Sequence, residues 1–141
     1  MRRYLVVANQ TLAGGQLLAT LRDLHRRAPC AFHVVVPATP PKDHSWTEGE
    51  VRHTARERLD AALVTLRSEG LEVDGEVGDE HPIEAVLDVL LRGEVYDAIV
   101  LSTLPPGRSR WLRRDVVGGL EARTGLHVIH VIGQPAPARA G

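Results

Sequence analysis

YLVVA, at residues 4–8, is an uninterrupted apolar run near the start of the chain. Strands that are buried on both faces of a parallel sheet have this composition, whereas half-exposed strands alternate apolar and polar residues. FHVVV at 32–36 and AIVL at 98–101 repeat the pattern, and LHVIHVI at 126–132 is a further apolar segment. These segments predict a mainly parallel β-sheet at the centre of the fold.

Helical patterns separate these strands. Apolar residues recur at helical spacing in 17–24, 48–69, 83–91 and 111–120. Residues 71–77 (LEVDGEV) instead alternate with acids, which predicts a strand at the sheet edge. Five strands and four helices therefore alternate, and right-handed crossovers would place helices on both faces of the sheet. The fold class predicted is α/β, a three-layer sandwich.

The length of 141 residues and the 43% hydrophobic content suit one domain with one continuous core. We assign residues 1–132 to this domain. Residues 133–141 (GQPAPARAG) have no core-forming pattern and are expected to be a disordered tail.

The charge balance gives no global attraction to polyanions. Lysine and arginine total 17 against 18 acids, so the net charge is −1, and neither nucleic acid nor a membrane surface is an expected partner. No apolar stretch resembles a signal peptide or a membrane span, so a cytoplasmic location is expected. The single Cys30 borders an apolar run, as a small buried hydrophobe would.

A ligand site is expected at one edge of this sheet, because parallel α/β sheets bind ligands beyond the carboxyl ends of their strands. The loops at that edge are 9–15, 37–47, 78–82 and 102–110. Polar residues, glycines and prolines at the ends of the first, second and fourth strands supply the candidates. The predicted binding residues are Asn9, Thr11, Val36, Pro37, Ser102, Thr103, Gly107, Arg108, Ser109 and Arg110.

The basic segment GRSRWLRR at 107–114 is the strongest local feature. One interpretation is an anion held by Arg108, Ser109 and Arg110 at a helix start. The alternative is that the arginines pair with Asp79, Glu80 or Asp115, or extend into solvent. Trp111 lies at helical spacing with apolar neighbours, which predicts a core or subunit contact.

Catalytic and metal chemistry are not predicted. The seven histidines lack metal-ligand spacing, and no G-x-S-x-G motif occurs. His81, at a strand end between Glu80 and Pro82, is the one candidate acid or base.

The ordered set of segments resembles the universal stress protein family over residues 3–132. VVANQT at 6–11 is similar to its first strand end, GDEHPIEAVLDVL at 78–90 to its third turn and helix, and YDAIVLS at 96–102 to its fourth strand. The resemblance implies the strand order 3-2-1-4-5, and it implies a homodimer through the last strand.

The chain departs from the family where ATP-binding members hold phosphates. Those members carry Gly, two residues, Gly, nine residues, then Gly with Ser or Thr, and the matching positions here are Ser102, Pro105, Asp115 and Val116. Glycines there would let the backbone approach phosphates, whereas proline lacks an N–H. Asn9 also replaces the carboxylate that ends the family's first strand.

The leading hypothesis is a non-enzymatic binding or signalling module with an altered nucleotide site, for which an adenine nucleotide or a small anion is the candidate ligand. The second is a sensor or enzyme for a small phosphorylated or carboxylated anion at the ends of strands 1 and 4. A third is an interaction domain that contacts a partner through the loop at Trp46 or the helix at Trp111.

Overall fold

The protein is described here by a computed structural model that covers residues 1–40 and 45–134. In chain order its elements are β1 (Arg2–Val7), α1 (Gly15–Arg27), β2 (Cys30–Pro37), α2 (Glu48–Ser68), β3 (Glu72–Gly78), α3 (Pro82–Leu90), β4 (Ala98–Thr103), α4 (Arg110–Arg113), α5 (Val116–Thr124) and β5 (Val128–Ile132).

The five strands form one sheet in the order β3-β2-β1-β4-β5. All four neighbouring pairs are parallel, so the predicted fold class and strand order are confirmed. β1 lies at the centre because its apolar residues must be covered on both faces, and Leu5 and Val6 are fully buried. β3 lies at an edge, as its alternating acids predict.

Helices cover both faces of the sheet and divide the core in two. Residues from α1 and α2 pack on the face that carries Val6 and Val34. Residues from α3 and α5 pack on the face that carries Leu5 and Val35. Successive strand side chains point to opposite faces, so the two cores share strands but not side chains.

Local capping chemistry fixes the start of the longest helix. The Thr47 hydroxyl oxygen accepts from the backbone N–H of Glu50 at 3.1 Å and donates to the Glu50 carboxylate at 3.0 Å. Thr47 therefore satisfies an N–H that the first turn leaves without an intrahelical partner. At the other end, Gly70 adopts φ = +81°, which glycine tolerates best, and the chain turns into β3.

The fourth predicted helix is two helices, which corrects the prediction of four. α4 ends at Arg113, and Asp115 takes the left-handed conformation with φ = 49°, the one positive φ among the described non-glycine residues. The Asp115 carboxylate then accepts from the backbone N–H of Gly118 at 3.2 Å and starts α5. Gly118 permits this cap, because a Cβ there would lie 2.5 Å from Asp115 Oδ2. Continuous apolar spacing across 111–120 concealed the break.

The described chain continues two residues beyond the predicted domain end at 132. Gly133 is buried, and its N–H donates to the Thr103 carbonyl at 2.8 Å. Residues 135–141 of the predicted tail and residues 41–44 of the predicted 37–47 loop lie outside the described residues. Within the described residues, no helix has the length and apolar character needed to cross a membrane.

Candidate functional site

A cavity of about 440 Å³ opens beyond the carboxyl ends of β1 and β4. β1 and β4 are neighbours in the sheet, and the chain leaves them toward opposite faces. The crevice between two such strand ends is where ligands bind in open α/β sheets. Seven of the ten predicted binding residues line the cavity. They are Asn9, Thr11, Ser102, Gly107, Arg108, Ser109 and Arg110.

The other three predicted residues do not line it. The Val36 side chain is fully buried in the core beside α2. Pro37 is the last residue of β2, and its carbonyl oxygen bonds to Asn9. Thr103 follows Ser102 in β4 and therefore faces the opposite side of the sheet, where its Oγ1 lies 2.8 Å from His130 Nε2. Strand alternation is thus the reason that only Ser102 of this pair reaches the cavity.

Asn9 joins the end of β1 to two other elements. Its Nδ2 donates to the Pro37 carbonyl at 2.8 Å, and its Oδ1 accepts from Arg58 Nη1 at 2.6 Å. A carboxylate at this position would have no proton to donate to that carbonyl. Asn9 is 6% exposed, so these bonds satisfy a polar group that burial would otherwise penalise.

Thr11 and Ser102 form the floor of the cavity. Their hydroxyl oxygens lie 2.5 Å apart, and the two residues are 2% and 1% exposed. This hydrogen bond links the loop after β1 to the end of β4 across the point where the strand order reverses. Gly133 packs against the same pair, since a Cβ at 133 would lie 3.1 Å from Thr11 Cβ.

In the loop after β4, several backbone N–H groups donate to acceptors in the same loop. The carbonyl of Pro105 accepts from the N–H groups of Arg108 and Ser109 at 3.0 and 3.2 Å. The Ser109 hydroxyl oxygen accepts from the N–H of Leu112 at 3.2 Å, so Ser109 is the N-cap of α4. Three backbone N–H groups that could have held an anion, those of Arg108, Ser109 and Leu112, are therefore engaged within the loop itself.

Arginine side chains give the cavity its charge. Arg108, Arg110 and Arg113 line it, and no lining residue is an aspartate or glutamate. Arg113 also donates to the Gly107 carbonyl at 3.0 Å, which holds the turn in place. The sequence identified Arg108 and Arg110 but left out Arg113, which helical spacing puts one turn after Ser109 and Arg110. It also left out Trp111, Gln10, Thr39, Pro40 and Leu104 as lining residues.

In the part of the chain that the structure describes, these arginines form no ion pair with Asp79, Glu80 or Asp115, so that arm of the alternative is wrong. Its other arm, extension into solvent, fits Arg108, Arg113 and Arg114, which are exposed. The Asp79 carboxylate accepts from the backbone N–H of His81 at 2.8 Å, and this bond lowers the pKa of Asp79. Asp115 caps α5. Arg108 and Arg110 form no ion pair with any described residue, so they keep donors available to a ligand.

Trp111 is core, as predicted. It is 9% exposed and packs with Val116 and Leu120 in the core beside α3 and α5, while one side borders the cavity.

General acid or base chemistry has no candidate at this cavity among the residues described. Its lining includes no histidine, cysteine or acid. His81 lies outside the cavity, exposed and beside Asp79 and Glu80. Across residues 1–40 and 45–134, no three histidine, cysteine or acidic side chains cluster in a way that could hold a metal. The arrangement can bind and orient an anion.

Solved structures with the same fold are universal stress proteins. The universal stress protein from Archaeoglobus fulgidus has a TM-score of 0.62 at 18% identity, with 93% of each chain covered. Its complex with dAMP gives 0.62 at 17% identity, covering 93% of this chain and 98% of that one. A universal stress protein in complex with cAMP gives 0.59 at 13% identity, covering 94% and 98%. At these identities the likeness establishes the fold.

No protein-family model matches the sequence, and the search of curated proteins finds no match.

Proposed function

We propose that this chain is a universal stress protein-like module that binds a ligand without transforming it, and that its nucleotide site is altered so that ATP is not held in the family's manner. The observation that carries the proposal is the consumption of backbone donors after β4. Pro105 accepts two of these N–H groups, and Asp115 occupies a third at the start of α5. These N–H groups are not available to a polyphosphate, and Pro105 and Pro106 have no N–H to offer.

Charge supports the same proposal. Asp115 stands where the ATP-binding motif resembled in the sequence has glycine, and its carboxylate would repel phosphates near the start of α5. Asn9 stands where the first strand of the family ends in a carboxylate, and its side chain is already bonded to Pro37 and Arg58.

A signalling or binding role follows from the lining of the cavity. Arginines, hydroxyls and amides can recognise a ligand, but none of them is a proton acceptor near neutral pH. That structures of this fold include complexes with dAMP and with cAMP supports an adenine nucleotide as one candidate ligand here. We propose that the module is cytoplasmic and that it binds neither nucleic acid nor membranes.

Calorimetry with ATP tests the altered site. The expected result is no low-micromolar binding of ATP and no competition by adenosine, because the loop lacks a free backbone cradle. Incubation with ATP should also release no phosphate. Low-micromolar ATP binding that adenosine displaces would contradict the proposal.

A homodimer through β5 completes the proposal. β5 is a sheet edge with one hydrogen-bonded neighbour, and its Ile132 is 47% exposed. A free apolar edge strand favours pairing with a second strand, and twofold pairing of two copies covers both edges.

The second candidate function is a sensor or an enzyme for a small phosphorylated or carboxylated anion. The arginine-lined cavity, which has no acid among its lining residues, is the observation that favours it.

A further inference from the structure

The hydroxyl pair at the floor of the cavity leaves one proton without an acceptor among the described residues. Thr11 and Ser102 each have one hydroxyl proton, and the single bond between them uses one of the two. Neither hydroxyl has another hydrogen-bond partner among the described residues. Since both residues are at least 98% buried, the remaining proton points to an acceptor that is not part of the described protein.

Ser109 shows the same surplus on the cavity wall. Its oxygen accepts from the N–H of Leu112, while no described residue accepts its own proton. Ser109 is 4% exposed and lines the cavity, so its donor is also buried. A buried polar hydrogen without an acceptor costs free energy, which a ligand oxygen would recover.

The charged residues around these hydroxyls are donors as well. The guanidinium groups of Arg108, Arg110 and Arg113 have no acceptor capacity, and no carboxylate lines the cavity. A sugar hydroxyl donates as well as accepts, and so does a protonated phosphate. Neither finds a carboxylate here to take its proton, so only neutral acceptors such as the Gln10 amide remain for it.

We propose that the cavity is a receptor for a fully deprotonated oxyanion group, either sulfate or the dianionic phosphate of a monoester, recognised by side chains rather than by backbone. Every oxygen of such a group is an acceptor, which matches the donors at Thr11–Ser102, Ser109 and Arg110. The inference rests on the proposed function, because it assigns the ligand class of the same site, and it makes a nucleoside unnecessary for binding.

Thermal shift and calorimetry with sodium sulfate and with methyl phosphate provide the test. At pH 8 both should raise Tm in proportion to the logarithm of their concentration above the dissociation constant. Methyl phosphate should lose affinity between pH 7 and pH 5, because a phosphate monoester takes up a proton near pH 6. Sulfate carries no proton in this range, and no histidine, cysteine or acid lines the cavity, so its affinity should stay constant.

Variants of Thr11 and Ser102 test whether their unpaired hydroxyl proton binds the anion. Thr11→Val and Ser102→Ala each leave one hydroxyl whose proton is free, so each should change sulfate affinity by no more than about threefold. The double variant has no hydroxyl donor and should bind at least about tenfold more weakly. Removing both partners of the bond leaves neither group unsatisfied, so the Tm without anion should be nearly unchanged.

Arg110→Gln should weaken sulfate binding by at least about tenfold, since it removes a charge-assisted donor. Arg123→Gln is the matched control, because Arg123 is exposed in the last turn of α5 and lies outside the cavity.

The proposal is overturned if neither anion raises Tm at concentrations up to about 10 mM, or if Arg123→Gln weakens binding as much as Arg110→Gln. These outcomes leave the altered nucleotide site standing, because they concern the oxyanion alone. Low-micromolar ATP binding that adenosine displaces, in contrast, would contradict the proposed function whatever sulfate does.

Discussion

Asn9 illustrates at a single residue how the chain modifies a shared fold. Its amide donates to a β2 carbonyl while its oxygen accepts from a helix arginine, so it holds three elements together at the mouth of the cavity. A carboxylate could accept from the arginine but could not donate to the carbonyl. Asn9 therefore positions the end of β1 against β2 and α2, a role that could not be predicted from its residue type alone.

Replacing Asn9 by alanine should lower the free energy of unfolding by about 1–3 kcal/mol, because two buried hydrogen bonds are lost and the Pro37 carbonyl loses its donor. Urea denaturation measures the change. The neighbouring Gln10→Ala is the control and should stay within about 0.5 kcal/mol of the parent protein. Equal stability of the two variants would show that the Asn9 bonds contribute nothing.

The sequence predicted those residues of the candidate site that lie at the ends of neighbouring strands. Asn9, Thr11 and Ser102 follow apolar runs, and parallel strands end at one edge, so their proximity could be predicted. Arg58 could not, because it reaches Asn9 from 49 positions away in α2. The Pro105 carbonyl could not either, since its two bonds depend on the path of the loop.

The edge strand β3 is attached to its neighbours by side-chain bonds as well as by backbone pairing. Its acids face the neighbouring strand and helix: His33 Nδ1 lies 2.6 Å from Asp74, and His33 Nε2 lies 2.8 Å from Glu76. Arg92, which follows α3, also pairs with Glu76. The pKa of Glu76 is lowered mainly by its hydrogen bond with the Arg92 guanidinium, and the bond with His33 lowers it further.

Glu76→Gln should lower the free energy of unfolding by about 1 kcal/mol at pH 7. A carboxyl whose pKa is lowered in the folded state stabilises above its unfolded pKa of about 4.3, and this contribution disappears as pH falls through the folded value. The difference between the variant and the parent should therefore shrink below about pH 4. Urea denaturation from pH 7 to pH 3 measures it.

Asp60→Asn serves as the control for Glu76, because Asp60 pairs with Arg56 on the exposed side of α2. Its effect should be smaller than that of Glu76→Gln at pH 7. A Glu76→Gln difference that stays constant down to pH 3 would contradict the assignment to the ionised carboxylate.

Gly75 allows β3 to lie close to its neighbours. A Cβ there would lie 2.7 Å from the Val34 carbonyl oxygen and 2.7 Å from Leu59 Cδ1. Gly75→Ala should therefore cost about 2–3 kcal/mol of stability, measured by thermal or urea unfolding. Gly49→Ala is the control: no atom lies within 4 Å of the position that a Cβ would take there, and alanine favours the helix, so stability should hold or rise slightly. Equal losses would contradict the packing argument.

For the whole molecule, the sequence predicted the layers well and the helix count less well. Apolar runs with helical spacing between them require a parallel sheet that is covered on both faces, which is the layering observed. The break at Asp115 was hidden because it changes one backbone conformation without interrupting the apolar pattern. The strand order itself came from the family resemblance, since composition does not distinguish among parallel orders.

A homodimer paired through β5 should be detectable in solution. Sedimentation at about 50 μM should show a dimer, and Ile132→Lys should shift it to monomer by placing a charge on the free edge. Val64→Lys is the control, because Val64 is 70% exposed on α2 and lies away from β5. A monomeric parent protein, or equal dissociation by the Val64 variant, would rule out pairing through β5.

A crystal structure of the protein grown with both ATP and sulfate present would show which of the two ligands the cavity holds. We expect a tetrahedral anion within hydrogen-bond distance of Arg110, Ser109 and the Thr11–Ser102 pair, with the Pro105 turn and the Asp115 cap intact. An ordered adenine nucleotide whose phosphates bond to backbone N–H groups between Ser102 and Gly118 would contradict the account.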